Sequence, residues 1–118
     1  MSVSVYGISN CDTVRKARNW LTQNNITHEF CDIRKTPLAP ELLQSWLATA
    51  GSAALINKRS TTWRQLSQAE QQATTTADVV SLLQTYPTLL KRPVLTTGTT
   101  LLVGFKQQEW QQQLETVK

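Results

Sequence analysis

The sequence is poor in the residues that build metal sites and dithiol redox centres. It has two cysteines and one histidine, His28, so a metal site or a cysteine–histidine dyad has little support. Val14 stands where a C-x2-C motif beginning at Cys11 would place its second cysteine, which excludes thioredoxin-type dithiol chemistry. Ala17 stands where a C-x5-R phosphatase loop would place its arginine, which excludes that chemistry as well.

Long apolar runs and blocks of like charge are also missing. No apolar segment approaches 18 residues and no secretory leader is recognisable, so we expect no membrane partner, free thiols and a reducing cytoplasm. The formal net charge is +4, but no run of five like charges and no nucleic-acid-binding motif occurs. We therefore expect no nucleic-acid partner. A chain of 118 residues is long enough to form one domain around a single core.

The first third of the chain predicts a strand, a helix and a second strand. Val3–Ile8 and Ile26–Ile33 are rich in β-formers. Between them, apolar residues recur at helical spacing up to Asn24-Asn25, which closes the helix. A short βαβ unit of this kind places its two strands parallel in one sheet.

The rest of the chain predicts a helical insert followed by a hairpin and a last helix. Residues from about 41 to 87 read as mostly helical, with no convincing strand. Pro93–Thr96 and Thr100–Val103 flank Thr97-Gly98-Thr99 with the spacing of a β-hairpin, and Gln107–Val117 forms the last helix. The order βαβα, insert, ββα predicts an α/β, thioredoxin-like domain over residues 1–118, with a mixed sheet.

Cys11 lies at the junction of the first strand and the first helix. Unpaired N–H groups and the helix dipole at such a junction favour the thiolate, which is the nucleophilic form. Arg15 would add to this effect if its side chain folded back, whereas Asp12 opposes it unless it caps the helix. Local context leaves open that Cys11 is a small buried hydrophobe. Cys31 is expected to be a packed strand residue rather than a resolving thiol.

Four segments together resemble the arsenate reductase (ArsC) family, and within it the Spx/YffB-like branch. The resemblance extends from about residue 4 to about residue 115. The segments are NCDTVRKARNWL at 10–21, LINKRSTTWR at 55–64, KRPV at 91–94 and LVGF at 102–105.

The resemblance implies a thioredoxin-like fold with a helical insertion and Cys11 as the catalytic nucleophile. It implies that Arg59 and Arg92 face Cys11 and that Pro93 follows a cis peptide bond. Guanidinium forks suit a tetrahedral oxyanion or a carboxylate of glutathione. The alternative to a substrate-binding role for both arginines is a surface ion pair. The residues expected to bind substrate or glutathione are Asn10, Arg15, Arg59, Arg92 and Pro93. No metal and no bound cofactor are expected.

The function implied by the resemblance is that of a cytoplasmic, glutathione-dependent thiol reductase. Cys11 would form a mixed disulfide or another covalent adduct with an oxidised thiol or oxyanion substrate. Glutathione would resolve that adduct as co-substrate, with glutaredoxin as a possible partner. Asp12, and the absence of arginine from residues 99–102, argue against arsenate as the substrate. Val14 argues against a disulfide-switched regulator. A strict arsenate reductase and a non-catalytic, Spx-like protein that binds RNA polymerase remain alternatives.

Overall fold

The computed structural model describes residues 2–98 and 100–114. The chain divides into two compact units, one formed by residues 1–36 and 92–118 and the other by residues 37–91. In the part of the chain described, no helix is long and apolar enough to span a membrane. The elements in chain order are β1 (Ser4–Gly7), α1 (Asp12–Gln23), β2 (Glu29–Asp32), α2 (Pro40–Ala50), α3 (Ser52–Leu55), α4 (Thr61–Gln65), α5 (Gln68–Gln71), α6 (Thr76–Thr85), a 3-10 turn (Pro87–Leu89), β3 (Val94–Thr96), β4 (Leu101–Val103) and α7 (Gln107–Leu114).

The first unit contains a four-stranded mixed sheet with the strand order β2-β1-β3-β4. β1 and β2 are parallel, as the short βαβ unit predicts, and Tyr6 lies opposite Cys31. β3 is antiparallel to β1, with Tyr6 opposite Val94, and β4 is antiparallel to β3. This arrangement confirms the predicted α/β class, the mixed sheet and the C-terminal hairpin. Thr99, within the predicted turn, lies outside the described residues.

One face of this sheet carries the core of the first unit. Because side chains alternate along a strand, Val5, Leu95 and Leu102 share a face and all are buried. The core cluster to which they belong also contains Ala17, Trp20 and Leu21 from α1 and Trp110 and Leu114 from α7. The helical spacing that predicted α1, and the Trp110–Leu114 pair that predicted α7, thus identify the core faces correctly.

The aromatic part of this core is fixed by ring geometry and one hydrogen bond. Trp110 meets Phe105 edge-on at 4.8 Å between centroids and Trp20 at 6.3 Å. Its indole Nε1 donates to the Gly104 carbonyl at 3.0 Å, so this buried polar atom is satisfied. α7 is therefore held against the end of β4. The predicted end of α7, residues 115–117, lies outside the described residues.

Each strand is shorter than its sequence pattern suggested. Val3–Ile8 was expected and Ser4–Gly7 is found; Ile26–Ile33 was expected and Glu29–Asp32 is found. Ile26 caps the C-terminal end of α1 and is not part of β2, because its N–H donates to the Leu21 carbonyl at 2.9 Å. β3 begins at Val94 rather than Pro93; proline has no N–H to donate to a neighbouring strand.

The second unit is helical, in agreement with the pattern of residues 41–87, but its helices are short. Ser60, Ser67 and Thr75 each accept a hydrogen bond from the backbone N–H three residues on, and each therefore begins a new helix. Ser67 and Glu70 form a reciprocal capping box. An isolated antiparallel bridge joins Ile56 to Leu90. The sequence analysis predicted helical structure in this region but did not identify Ser60, Ser67 and Thr75 as the caps that divide it into separate helices.

β1 and α1 approach each other closely at Gly7 and Val14. A Cβ atom added to Gly7 would lie 2.7 Å from Cγ2 and 3.1 Å from Cγ1 of Val14. Val14 is 1% exposed, and its β-branched side chain has few alternative rotamers in a helix. The start of α1 therefore rests on a strand position that has no room for a side chain.

The close approach predicts that Gly7→Ala lowers the free energy of unfolding by about 1–3 kcal/mol, as overpacking of a core does. Urea denaturation measures this cost. In a Val14→Ala background the same change should cost much less, because the atoms it meets have been removed. Equal costs in the two backgrounds would show that the contact does not limit the packing.

Candidate active site

Cys11 is the N-cap residue of α1. Its backbone is extended (φ −99°, ψ 124°), its carbonyl accepts from the Arg15 N–H at 3.0 Å, and its thiol makes no capping hydrogen bond to the helix. The side chain is half-exposed, and the residue forms no disulfide. This exposure removes the interpretation of Cys11 as a buried hydrophobe. The thiol is placed where the first N–H groups of a 12-residue helix favour negative charge.

Asp12 and Arg15 occupy the first turn of α1 and pair with each other. Arg15 Nη2 contacts Asp12 Oδ1 in an exposed ion pair. Asp12 does not cap the helix, because Cys11 holds the cap position. Arg15 is engaged by Asp12 and the two charges offset each other. The binding of substrate by Arg15 stays a prediction.

Asn10 is tied to a residue that the sequence reasoning missed. Its Oδ1 accepts from Arg34 Nη2 at 3.1 Å. The Arg34 backbone N–H donates to Asp32 Oδ1 at 2.9 Å. This hydrogen bond holds the pKa of the Asp32 carboxyl below its usual value, although partial desolvation acts in the opposite direction. The Lys35 N–H, the positive charge of Arg34 and the Ser9 N–H lower the pKa further. The turn after β2 is thus hydrogen-bonded to the loop that precedes Cys11.

Arg92 and Pro93 precede β3 in the same unit. The peptide bond between them is cis, as the resemblance implied. Arg92 is half-buried, with its Nε atom buried, and the buried Pro93 accepts from the Gly104 N–H at 2.8 Å. Because Val94 lies opposite Tyr6 in an antiparallel pair, the start of β3 is beside the end of β1. Arg92, Pro93 and the loop that leads to Cys11 therefore share one edge of the sheet.

Arg59 lies in the other unit, residues 37–91. It is exposed; its N–H donates to Asn57 Oδ1 at 3.0 Å and its carbonyl accepts from Arg64 Nη2 at 2.9 Å. These bonds hold its backbone and leave its guanidinium at the surface. The expectation that Arg59 faces Cys11 stays a prediction from the resemblance.

Cys31 lies on β2 and is half-buried. Burial and the charge of Glu29 raise the pKa of its thiol, so it is largely protonated near neutral pH. Burial, followed by Cys31, also raises the pKa of the neighbouring Tyr6 phenol. These shifts agree with a packed strand residue and give Cys31 little nucleophilic character.

The described residues contain no cluster of side chains that could form a metal centre. Over residues 2–98 and 100–114, no three cysteine, histidine or acidic side chains cluster closely enough to hold a metal ion. His28 is occupied by other contacts: Arg18 Nε approaches its Nε2 at 3.4 Å, and its Nδ1 lies 3.3 Å from the Ile26 carbonyl oxygen.

Comparison with known proteins places this geometry in a family. The sequence pattern of the ArsC family matches residues 6–113. The chain belongs to the ArsC family. An uncharacterised protein of Haemophilus influenzae is 40% identical over 109 residues, which cover 92% of this chain and 96% of that protein. The global transcriptional regulator Spx 1 of Bacillus cereus is 28% identical, covering 91% of this chain and 82% of the regulator.

Solved structures support the same assignment. The structure of the YFFB protein superposes with a TM-score of 0.88 at 35% identity, covering 92% of this chain and 96% of that one. The glutaredoxin of Archaeoglobus fulgidus superposes with a TM-score of 0.51 at 14% identity, covering 94% of this chain and 83% of that one. The glutaredoxin shows a likeness of fold alone. The thioredoxin-like fold expected for this ArsC-family chain is confirmed.

The raised pKa of Cys31 predicts that its thiol reacts slowly at neutral pH. In a Cys11→Ser variant, the remaining thiol should react slowly with iodoacetamide at neutral pH and speed up only at alkaline pH, because little thiolate is present below that. Mass spectrometry of the alkylated protein gives the rates. Glu29→Gln in the same background should raise the neutral rate, since Glu29 contributes to the shift. A Cys31 thiol that alkylates at neutral pH as fast as free cysteine contradicts this account.

Proposed function

We propose that this ArsC-family protein is a glutathione-dependent thiol reductase with Cys11 as its nucleophile. The observation that carries the proposal is the half-exposed Cys11 thiol at the N-terminus of α1. Thiolates formed at helix N-termini are the reactive species in thiol–disulfide exchange. Membership of the ArsC family supports an oxidoreductase, since a 38% identical solved structure is that of an arsenate reductase (ArsC) related protein.

The reaction needs a thiol from another molecule, because neither Val14 nor Cys31 can supply a resolving thiol within this chain. Val14 is 1% exposed and packs on Gly7. This position in the first turn of α1 is therefore part of the hydrophobic core. Cys31 has a raised pKa and is a poor attacking group near neutral pH. Glutathione, abundant in a reducing cytoplasm, is the co-substrate that supplies the missing thiol.

The reaction needs two thiol–disulfide exchanges. The Cys11 thiolate attacks the glutathione sulfur of a mixed disulfide between glutathione and a substrate thiol; an S–S bond forms to Cys11 and the substrate leaves as its thiolate. A second glutathione thiolate then attacks the glutathione sulfur bound to Cys11. Glutathione disulfide forms and Cys11 is released as thiolate, so the net reaction converts the mixed disulfide and one glutathione into the substrate thiol and glutathione disulfide.

The sheet edge beside Cys11 suits a ligand that carries carboxylates. Arg92 precedes β3 at this edge, and a guanidinium presents a rigid, permanently charged fork to a carboxylate. Asn10, next to Cys11, adds an amide that can donate to the peptide part of glutathione. With an oxyanion substrate, the same thiolate would form a covalent adduct that glutathione and glutaredoxin resolve.

Arsenate itself is a weaker candidate, although one objection to it is smaller than the sequence suggested. Asp12 is paired with Arg15, so its charge is partly offset beside Cys11. The second objection stands, because residues 99–102 contain no arginine. Arsenate-dependent oxidation of NADPH, coupled through glutathione, glutaredoxin and glutathione reductase, should be slow or absent.

The similarity to Spx 1 favours a second candidate, a regulator that binds RNA polymerase without turnover. Val14 removes the dithiol that would switch such a protein by disulfide formation. A pull-down that retrieves RNA polymerase subunits, together with no thiol transfer by the purified protein, would favour this candidate over the reductase.

The proposed reductase predicts covalent addition of glutathione at one position. Incubation with glutathione disulfide should add one glutathione to the wild-type protein and to Cys31→Ser, and none to Cys11→Ser. Intact-mass spectrometry detects the adduct, and reduced glutathione should then remove it. Turnover of a glutathionylated model peptide should fall at least about a thousandfold in Cys11→Ser, because the attacking thiolate is removed.

Two outcomes would count against the proposal. Addition of glutathione to Cys11→Ser would move the chemistry to Cys31. A wild-type protein that forms the adduct but turns over no substrate would leave the binding candidate in its place.

A further inference from the structure

Arg34 is the cation that the fold ties most directly to the Cys11 loop. β1 and β2 are parallel neighbours, and Gly7 lies opposite Asp32 at their last paired position. The carboxyl ends of parallel strands meet at one edge of a sheet, which is where α/β folds bind ligands. Cys11 follows Gly7 closely along one strand, and Arg34 follows Asp32 closely along the other. Sequence alone gives no sign of this proximity, because 24 positions separate Asn10 from Arg34.

Two sets of hydrogen bonds connect Arg34 to the loop that precedes Cys11. Arg34 Nη2 donates to Asn10 Oδ1 at 3.1 Å, and Asn10 is the immediate neighbour of Cys11. Asp32 accepts from the backbone N–H groups of both Arg34 and Ser9. The guanidinium is thus anchored one residue away from the nucleophile rather than swinging freely on its side chain.

The charge of Arg34 is available at this edge. Its side chain is exposed, and the guanidinium has five N–H donors, of which the contact with Asn10 uses one. Asp12, the acid next to Cys11, is paired with Arg15. Asp32 offsets part of the Arg34 charge, but its oxygens accept from backbone N–H groups, which spreads its negative charge. The Arg34 guanidinium therefore retains N–H donors that can bind a carboxylate approaching Cys11.

We propose that Arg34 forms an anion-binding subsite beside Cys11 that takes a carboxylate of the thiol substrate. The inference rests on the proposed function, in which that substrate is glutathione. Arg34 would bind the carboxylate while Asn10 holds the guanidinium in place, so that the incoming sulfur is guided toward Cys11. The chemical class is an anionic thiol or disulfide.

Two alkylating reagents that differ in charge test the subsite without glutathione. Iodoacetate and iodoacetamide react with the same thiolate, and only iodoacetate carries a carboxylate. In a Cys31→Ser background at low salt, the ratio of the two Cys11 alkylation rates should fall about threefold in Arg34→Gln, the effect of one unit charge a few ångströms away in water. Arg34→Lys, which keeps the charge, should retain most of the ratio. A ratio taken on one protein does not depend on its concentration, and circular dichroism checks that each variant is folded.

Lys35→Ala is the matched control, because it removes the same charge from an exposed neighbour in the same turn. Its rate ratio should stay close to that of the parent protein. A fall in the ratio as large as that of Arg34→Gln would assign the effect to overall charge and overturn the subsite. An equal slowing of both reagents in Arg34→Gln would make Arg34 a support for the loop only and would also overturn it.

Glutathione kinetics separate this inference from the proposed function. If the wild-type protein turns over glutathione, Arg34→Gln should raise the KM for glutathione at least about threefold with little change in kcat. An unchanged KM overturns the subsite and leaves the reductase intact. If the wild-type protein does not use glutathione and the reagent ratio still falls in Arg34→Gln, the subsite stands for another anionic thiol and the reductase proposal fails.

Discussion

The contact between Gly7 and Val14 determines how the first turn of α1 lies against the sheet. A glycine in β1 lets the first turn of α1 pack directly on the strand, with the added-Cβ position only 2.7 Å from Val14. That packing fixes the N-terminus of α1 at the edge of the sheet, and with it the position of Cys11. The residue that a dithiol enzyme would use for chemistry is here used for packing. The same contact thus positions the Cys11 thiol and puts an apolar side chain where a dithiol motif would carry its second thiol.

Much of this architecture could be predicted from the sequence because its signals are local. Apolar spacing predicted α1 and α7, and the turn residues near Gly98 predicted the hairpin. The position of Cys11 at the start of α1 could be predicted because the junction of a strand and a helix is recognisable without knowing what lies across from it. The ends of the strands were misplaced, because N–H pairing with a neighbouring strand decides them and residue type does not.

What the sequence did not predict depends on contacts between distant positions. Arg34 looks like any exposed lysine or arginine in a turn until β1 and β2 are paired, and only then does it meet Asn10. The pairing of Asp12 with Arg15 was also open, since either side chain could have turned to the helix end instead. In residues 60–78, three serine or threonine caps decide where helices restart, and helical periodicity does not register them.

The carboxylate of Asp32 has a consequence for the acid tolerance of the Cys11 loop. Its pKa is lowered in the folded protein, chiefly by the Arg34 N–H, so its stabilising contribution is present above the unfolded pKa and is lost as the pH falls through the folded value. Across the neutral range the carboxylate stays ionised and keeps hold of Ser9 and Arg34. The hydrogen bonds that join Asp32 to Ser9 and Arg34 therefore persist from neutral to alkaline pH, and only acid weakens this attachment of the loop that precedes Cys11.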